Sequence, residues 1–160
     1  LSATSATTVD SGALLGGTGS LANGATIKGN ATISPGIDSV GTLSLGSLTI
    51  ENTGIYLAGI TGNMQSDKLN VTGNFNFDGV LKVVLGSYVP VAGDMFDVAD
   101  FSGTVTGNWT LDTSLAGLTP GLNWDSSLFA SQGLLQIVPE PSTSLLGLAG
   151  AVALMRRRRR

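Results

Sequence analysis

Residues 24–50 read GATIKGNATISPGIDSVGTLSLGSLTI, and two short motifs recur within them. Residues 24–27 (GATI) are followed by residues 30–33 (NATI), and residues 41–45 (GTLSL) are followed by residues 46–50 (GSLTI). In each unit apolar residues alternate with small or hydroxylated residues, which is the period of a β-strand. Short strands with this local repetition favour a β-solenoid, in which each strand is covered by the next along the stack.

The same alternation continues along the chain, and turn signals separate the strands. Alternating apolar positions are Leu43/Leu45, Leu48/Ile50, Ile55/Leu57, Leu69/Val71, Phe75/Phe77, Leu81/Val83/Leu85 and Phe96/Val98. Turn signals include Asn23-Gly24, Ser34-Pro35-Gly36, Asn52-Thr53-Gly54 and Asp78-Gly79. No helix-length periodic segment lies between Val9 and Val138, so the sequence predicts an all-β domain. A sandwich or a barrel would also use such strands, but the self-similarity favours the solenoid.

Composition excludes several classes of function. The chain has 160 residues, enough for one domain, with no cysteine and no histidine. Disulfides and thiolate metal sites are therefore excluded, and so are the commonest general base and the commonest metal ligand. Without its five terminal arginines the chain carries three lysines against eleven acidic residues, a charge of about −8. Such a surface repels phosphate, so we expect no nucleic-acid partner, and no cofactor is predicted.

The C-terminal 23 residues form three consecutive signals. Val138, Pro139, Glu140, Pro141 and Ser142 are followed by an uncharged apolar stretch over residues 142–155, and the chain ends in five arginines: Arg156, Arg157, Arg158, Arg159 and Arg160. The prolines predict an exposed, extended link that continues neither a helix nor a central strand. Residues 142–155 predict one short hydrophobic helix, about 21 Å long against a bilayer core of about 30 Å. The arginines are expected to stay on the cytoplasmic side.

This tail resembles the PEP-CTERM sorting signal of bacterial envelope proteins. The matching parts are the motif at residues 139–141, the short membrane span at 142–155 and the arginine cluster at 156–160. The resemblance implies recognition by an exosortase, a membrane-embedded cysteine transpeptidase, with cleavage near the motif. It implies a protein held in the inner membrane at first and then delivered to the cell envelope or the extracellular space. A plain C-terminal anchor is the alternative. Because such proteins are exported, we expect a signal peptide upstream of Leu1.

Most of the remaining chain resembles the β-strand repeats of autotransporter passenger domains. The segments that carry this likeness are residues 16–21, 34–36, 41–43, 66–73, 90–96 and 103–109. The resemblance implies a right-handed β-helix or β-roll. The predicted organisation is solenoid repeats over residues 1–85, a less regular β cap over 86–138 that continues the same domain, and the sorting signal over 139–160.

Two motifs with chemical potential have simpler interpretations. Residues 17–22 (GTGSLA) match the loose dinucleotide pattern GxGxxA, but a strand-like run follows where a helix would be needed. Asp94, Asp97 and Asp100 form the densest acidic cluster, yet their spacing of three is wrong for one face of a strand. We therefore expect a solenoid turn at the first motif. At the second we expect a solvated face, with Asp97 and Asp100 on either side of Val98, and no metal site.

Composition, repeats and tail together predict a non-catalytic envelope or extracellular-matrix protein with a structural or adhesive role, for example in a biofilm. Its expected partners are the exosortase, the membrane through a transient C-terminal span, and exopolysaccharide as a further candidate. One alternative is a secreted polysaccharide-active β-helix enzyme, for which Lys28, Lys68 and Lys82 are the basic groups outside the tail. A second alternative is a solenoid that binds ice or glycans, to which Trp109 and Trp124 could contribute stacking faces.

Overall fold

The computed structural model describes residues 5–37 and 39–141 and is all-β, with mostly parallel sheets. Within these residues the chain runs repeatedly through three sheets, A, B and C, always in that order. We call each run through the sheets a pass. The first pass consists of β1 (Thr7–Val9), β2 (Leu14–Gly17) and β3 (Gly19–Leu21), and the second of β4 (Ala25–Ile27), β5 (Thr32–Pro35) and β6 (Thr42–Leu45).

The later passes follow the same order with two additions. The third pass consists of β7 (Leu48–Ile50), β8 (Ile55–Gly62) and, after the hairpin strand β9 (Gln65–Ser66), β10 (Lys68–Val71). The fourth pass consists of β11 (Phe75–Phe77), β12 (Val80–Leu85) and, after β13 (Met95–Asp97), β14 (Ala99–Phe101). The fifth pass begins with β15 (Val105–Thr106) and β16 (Thr110–Leu115). Sheet A is therefore β1-β4-β7-β11-β15, sheet B is β2-β5-β8-β12-β16 and sheet C is β3-β6-β10-β14.

An antiparallel sheet, sheet D, closes the described part of the chain. After β17 (Leu122–Asp125) and the one-turn helix α1 (Phe129–Gln132), β18 (Leu134–Pro139) pairs with β13 on one side and β17 on the other. Gly133 ends α1 with a φ of 69°, and its carbonyl accepts hydrogen bonds from the backbone N–H groups of Val98 and Ala99 at 3.0 and 3.2 Å. The helix and sheet D are thereby joined to the last strand of sheet C.

The parallel register aligns like positions of successive passes. In sheet A the aligned residues are Thr7, Ala25, Leu48, Phe75 and Val105. The interval between them grows from 18 residues in the first pass to 30 in the fourth. Parallel pairing continues past Leu85 through β14, β15 and β16, so the end of the predicted repeats at residue 85 does not coincide with a change of sheet.

One apolar core is shared by all three parallel sheets and sheet D. The strands of the second to fourth passes bury alternate side chains, as at Ala25 and Ile27, and the register stacks these residues in rows such as Ile27, Ile50 and Phe77. In this row of sheet A the two aliphatic residues are followed by an aromatic one. In the last passes Phe77 stacks on Trp109 at 6.1 Å between ring centroids, and Phe129 of α1 meets Trp109 at 4.5 Å.

Two details of the strands differ from what the sequence pattern predicts. In β8 the pair Ile55 and Leu57 lies on the outer face and is only partly buried, whereas Tyr56 points inward and is fully buried. Phe96 and Val98 are both buried but do not share a strand, because β13 ends at Asp97 before β14 begins. Period-two alternation shows which side chains share a face, but not which face meets the core.

Candidate binding surfaces

A row of hydroxyl and amide side chains crosses the outer face of sheet A, and we call it the threonine row. Its members occupy one register position in the five strands: Thr8, Thr26, Thr49, Asn76 and Thr106. They face outward because the residues on either side are buried, as at Ala25 and Ile27. Neighbouring strands are about 4.8 Å apart, so the row repeats polar groups at that spacing over five strands.

The two ends of the threonine row differ in their hydrogen bonding. At the C-terminal end, Thr106 Oγ1 lies 3.2 Å from Asn76 Oδ1, and Asn76 Nδ2 donates to Asp78 Oδ2 at 3.1 Å. Among the residues that the structure describes, the hydroxyls of Thr26 and Thr49 bond to no other protein group. These hydroxyls are therefore able to bond to solvent or to a ligand without breaking a contact.

A polar groove runs beside the threonine row, where the chain turns from sheet A into sheet B. It encloses about 240 Å³, and its polar lining residues are Asn52, Thr53, Asp78, Lys82, Asn108, Thr110 and Asp112. Its charges are largely paired: Lys82 Nζ lies 3.2 Å from Asp112 Oδ2, and Asp78 Oδ1 accepts the Asn108 N–H at 3.0 Å. Hydrogen bonds from Ser114, together with Lys82, lower the pKa of Asp112 to about 2.

The acidic cluster is organised differently from the predicted solvated face. Asp97 Oδ2 and Asp100 Oδ2 both contact Lys68 Nζ, at 3.0 and 2.8 Å, and these two hydrogen bonds raise the pKa of Lys68. The prediction from spacing is wrong at this point, because the break after β13 turns both carboxylates toward the lysine of β10. Asp97 also has a buried carboxylate oxygen, Oδ1, with no hydrogen-bond partner.

Asp94, the third member of the cluster, lies apart from the other two. It is buried in a turn, where its Oδ2 accepts hydrogen bonds from the Tyr88 hydroxyl and from the Val91 N–H. The bond to Asp94 is the main cause of a raised Tyr88 pKa. Over residues 5–37 and 39–141 no three metal-ligating side chains come together.

A second buried carboxylate, Asp67, was not noted from the sequence. Its two oxygens accept the N–H groups of Gly41 and Gly59, both at 3.0 Å, while burial raises its pKa. Asp67 lines a depression of about 240 Å³ beside the exposed Ile37. Because each oxygen accepts a backbone N–H, the carboxylate links Gly41, just before β6 of sheet C, to Gly59 of β8 in sheet B, which favours a structural role.

All three lysines that could serve an enzyme are engaged in ion pairs. Lys28 lies 2.7 Å from Glu51, Lys68 contacts two aspartates, and Lys82 contacts Asp112. Hydrogen bonding raises the pKa of Lys28 and of Lys68, which keeps these amines protonated at neutral pH and so unable to accept a proton from a substrate. Each lysine sits on a different sheet or turn, so the structure does not bring them into one site.

The other sequence motifs occupy ordinary structural positions. Gly17 ends β2 and Gly19 begins β3, with φ angles of 104° and 134°, so the GxGxxA segment forms a strand-to-strand turn without the helix that nucleotide binding needs. Trp109 stacks on Phe77, and the Trp124 indole N–H donates to the Ala116 carbonyl at 3.0 Å. Both tryptophans are partly buried against the core and are not arranged as a sugar-stacking surface.

The first part of the tail continues β18. Val138 pairs with Asn123 and Pro139 with Leu122, so these two residues belong to β18 and not to the predicted exposed link, although they have a partner strand on one side only. Proline is tolerated because β13 pairs only with residues 134–136, and the missing N–H of Pro139 faces the side where that partner has ended. Glu140 and Pro141 are exposed, as predicted.

Ser142, the predicted span over residues 142–155 and Arg156 to Arg160 lie outside the described residues. Within residues 5–37 and 39–141, none of the helical structure is of the length and apolarity that crossing a bilayer requires.

The threonine row is the feature that sequence reasoning missed. A usable signal is present in the strand triplets TTV, ATI, LTI and FNF, each with a polar residue between two that face the core. The number of residues between successive triplets is unequal, so a search for a repeat of fixed length does not align their polar residues. Comparison of this chain with known proteins matches no family model, no curated protein and no solved structure.

Proposed function

We propose that this chain is a non-catalytic structural or adhesive component of the bacterial envelope or extracellular matrix. The observation that carries the proposal is the threonine row, a regular outward array with available hydroxyls on a rigid parallel sheet. An array of this kind suits many weak contacts to a repeating polymer, whose summed affinity exceeds that of any single contact. A hydrated exopolysaccharide is the partner that best matches hydroxyl and amide groups of low charge.

The fold that we propose for this role is a right-handed β-solenoid. Its support is the fixed order of sheets A, B and C in successive passes, and the single core to which all three contribute. Such a stack gains rigidity by adding passes and does not require a compact active site. Sheet D with α1 then serves as the less regular cap.

The polysaccharide-active enzyme is the weaker alternative. Catalysis on a β-helix needs a basic or acidic group that is free to exchange a proton with the substrate. Here the lysines are neutralised by neighbouring carboxylates, and Asp67 is held by two backbone N–H groups. These contacts favour a structural role for the charged residues.

The route to the envelope that we propose is exosortase sorting through residues 139–160. Support comes from the sequence of the tail and from its start in the structure, since β18 stops at Pro139 and since Glu140 and Pro141 are exposed. A membrane-embedded enzyme would find this segment accessible just outside the domain. Residues 142–155 would hold the protein in the inner membrane with the arginines in the cytoplasm until cleavage.

Mass spectrometry of the mature protein tests this route. In an exosortase-containing bacterium we expect the mature C-terminus near residues 139–142, and in an exosortase deletion strain we expect Arg160 to be retained. A chain that ends at Arg160 in both strains would contradict the proposal.

Co-sedimentation with the host's exopolysaccharide tests the binding role. The double variant T26V/T49V replaces two hydroxyls of the threonine row by methyl groups at nearly constant shape, and we expect binding to fall several-fold. S44A, on the outer face of sheet C, is the control and should bind like the wild type. Equal binding by all three proteins would exclude the threonine row as the contact surface.

Ice binding is the second candidate, which the in-register hydroxyls at a spacing of about 4.8 Å favour. A measurement of thermal hysteresis distinguishes ice binding from polysaccharide binding. Activity that is lost in T26V/T49V would establish ice binding, and its absence in the wild type would eliminate it.

A further inference from the structure

The turn that joins sheet A to sheet B changes length between the third and fourth passes. In each of the first three passes four residues lie between the two strands: 10–13, 28–31 and 51–54. In the fourth pass β11 ends at Phe77 and β12 begins at Val80, so only residues 78–79 remain. The register is kept on both sides of the turn, since Ile50 pairs with Phe77 and Ile55 with Val80. The third-pass turn therefore projects past its shorter neighbour and forms one wall of the polar groove.

The polar groove combines an apolar floor with a polar rim. Ile55 and Val80 are register neighbours on the outer face of sheet B, and both line the groove and are partly buried. The rim contains four side chains that bond to no other protein group in the described part of the chain: Asn52, Thr53, Asn108 and Thr110. Two amides and two hydroxyls together supply both donors and acceptors. The groove thus offers apolar contact and uncharged hydrogen-bonding groups at one place.

One residue of the wall has a backbone conformation that is unfavourable for its side chain. Thr53 has a φ of 65°, in the left-handed region that a β-branched residue rarely adopts. The equivalent residues of the first two passes are Gly12 and Asn30, with φ angles of 78° and 62°, and both residue types tolerate this region. The three residues are joined by backbone hydrogen bonds from Gly12 N–H to Asn30 O and from Asn30 N–H to Thr53 O. Threonine is therefore held in a strained position at the groove, and such strain is concentrated at functional sites.

The charges of the groove favour a neutral ligand. Lys82 Nζ contacts Asp112 Oδ2, and the two oxygens of Asp78 accept hydrogen bonds from the Asn76 side chain and the Asn108 N–H. One lysine and two aspartates leave a net charge of −1, which disfavours an anion. A cation would have to displace the protein groups that already contact these carboxylates. Neither effect opposes an uncharged ligand.

We propose that the polar groove binds one neutral pyranose unit of a polysaccharide. A pyranose has CH groups on the faces of its ring and hydroxyls around its edge, which matches an apolar floor with a few convergent polar groups. The volume of about 240 Å³ lies just below the range of about 300–1,000 Å³ that is typical of sites for larger ligands, so it suits a single ring.

This inference rests on the proposed binding role, because the polysaccharide of that role supplies the ring. The groove adjoins the threonine row, since Asn76 of the row donates to Asp78 of the groove at 3.1 Å. A polymer that lies along the row places one ring in the groove. The row then contributes many similar weak contacts, and the groove selects the type of ring.

An NMR titration of the full chain tests the groove with single rings. The chain is held in a zwitterionic detergent whose headgroup contains no sugar, and the probes are the methyl glycosides of glucose, galactose and mannose. We expect at least one of them to shift the backbone amide signals of Asn52, Thr53 and Asn108. Sorbitol, an open-chain polyol, should not shift them. Methyl glucuronide, which carries a carboxylate, should bind more weakly than the neutral glycosides.

Two variants separate binding from folding. N52A/N108A removes the two rim amides and should weaken glycoside binding several-fold, whereas N74A/N123A removes two exposed amides outside the groove and should bind like the wild type. Thr53→Gly removes the hydroxyl and relieves the unfavourable φ. It should therefore raise the urea midpoint and lower the affinity for the glycoside, a combination that damage to the fold does not produce.

The outcomes distinguish this inference from the proposed function. It is overturned if none of the glycosides shifts the groove amides, if methyl glucuronide binds more tightly than they do, or if N74A/N123A loses as much affinity as N52A/N108A. Sedimentation with exopolysaccharide without any shift at the groove would contradict the groove alone. Glycoside binding in the groove by a chain that does not sediment with exopolysaccharide would support the groove and contradict the proposed function.

Discussion

The first and fourth passes use the same three sheets but fill them in different ways. Residues 5–54 contain no aromatic residue, and the short first pass encloses aliphatic side chains such as Val9. The fourth pass is longer by twelve residues and contributes Phe77, which meets Trp109 and Phe129 of later elements, and Phe96, which meets Trp124. The longer pass contains larger side chains, as expected where a packed interior leaves little unfilled volume. In the part of the chain that the structure describes, α1 and sheet D cover part of this aromatic end.

The largest expected effect concerns the aromatic end. Phe129→Ala should lower the free energy of unfolding by about 3–5 kcal/mol, because it removes a fully buried ring that contacts Phe77 and Trp109. Urea denaturation measures this loss. Val89→Ala, at a residue that is 67% exposed, is the control and should leave the midpoint almost unchanged. Equal losses in the two variants would show that the contacts of Phe129 with Phe77 and Trp109 do not stabilise this end.

The contact between passes is tested next, by a single added carbon. Gly46→Ala places a methyl group against the Ala22 carbonyl, and we expect a loss of about 1–3 kcal/mol. The backbone of Gly46 has no positive φ, so the cost is steric. Gly103→Ala adds the same methyl group where no described atom lies within 4 Å, and should be tolerated. If both substitutions are neutral, the passes are less tightly stacked than described.

A smaller effect is expected from the ion pairs. Lys68→Met should cost about 1–3 kcal/mol, since it leaves the partly buried Asp97 without its cation. Lys28→Met breaks a more exposed pair with Glu51 and should give no measurable change. Chemical denaturation of both variants gives the comparison. A larger loss of stability in Lys28→Met than in Lys68→Met would contradict this ranking of the two ion pairs.

The smallest effect is a pH dependence in the polar groove. The pKa of Asp112 is lowered from 3.8 to about 2, so its contribution to stability is present above about pH 4 and is lost as the pH falls through about 2. Urea midpoints of the wild type should therefore exceed those of Asp112→Asn at neutral pH, with the difference vanishing near pH 2. A difference that stays constant over this range would show that the charge of Asp112 is not involved.

The strands that sequence reasoning located best are those in which alternation and turn glycines agree. Leu43 and Leu45, or Phe75 and Phe77, are buried as a pair on one face, as their spacing predicts. Sequence reasoning was less informative at Ile55 and Leu57, because both faces of β8 are apolar. Which face is buried depends on the elements that pack against it. It was wrong at Asp97 and Asp100, since their convergence on Lys68 depends on a break between strands that no local pattern marks.

By itself, the sequence determined the class of structure and the chemistry that the chain lacks. Period-two alternation requires strands, turn residues separate them, and the missing histidine and cysteine exclude the commonest catalytic and metal-binding groups. Only the tertiary structure decided which strands of distant passes are neighbours. That register aligns Thr8, Thr26, Thr49, Asn76 and Thr106, although their spacing along the chain is irregular. The physical reason is that hydrogen bonds between passes and packing of the shared core fix the register, and loops of different length accommodate it.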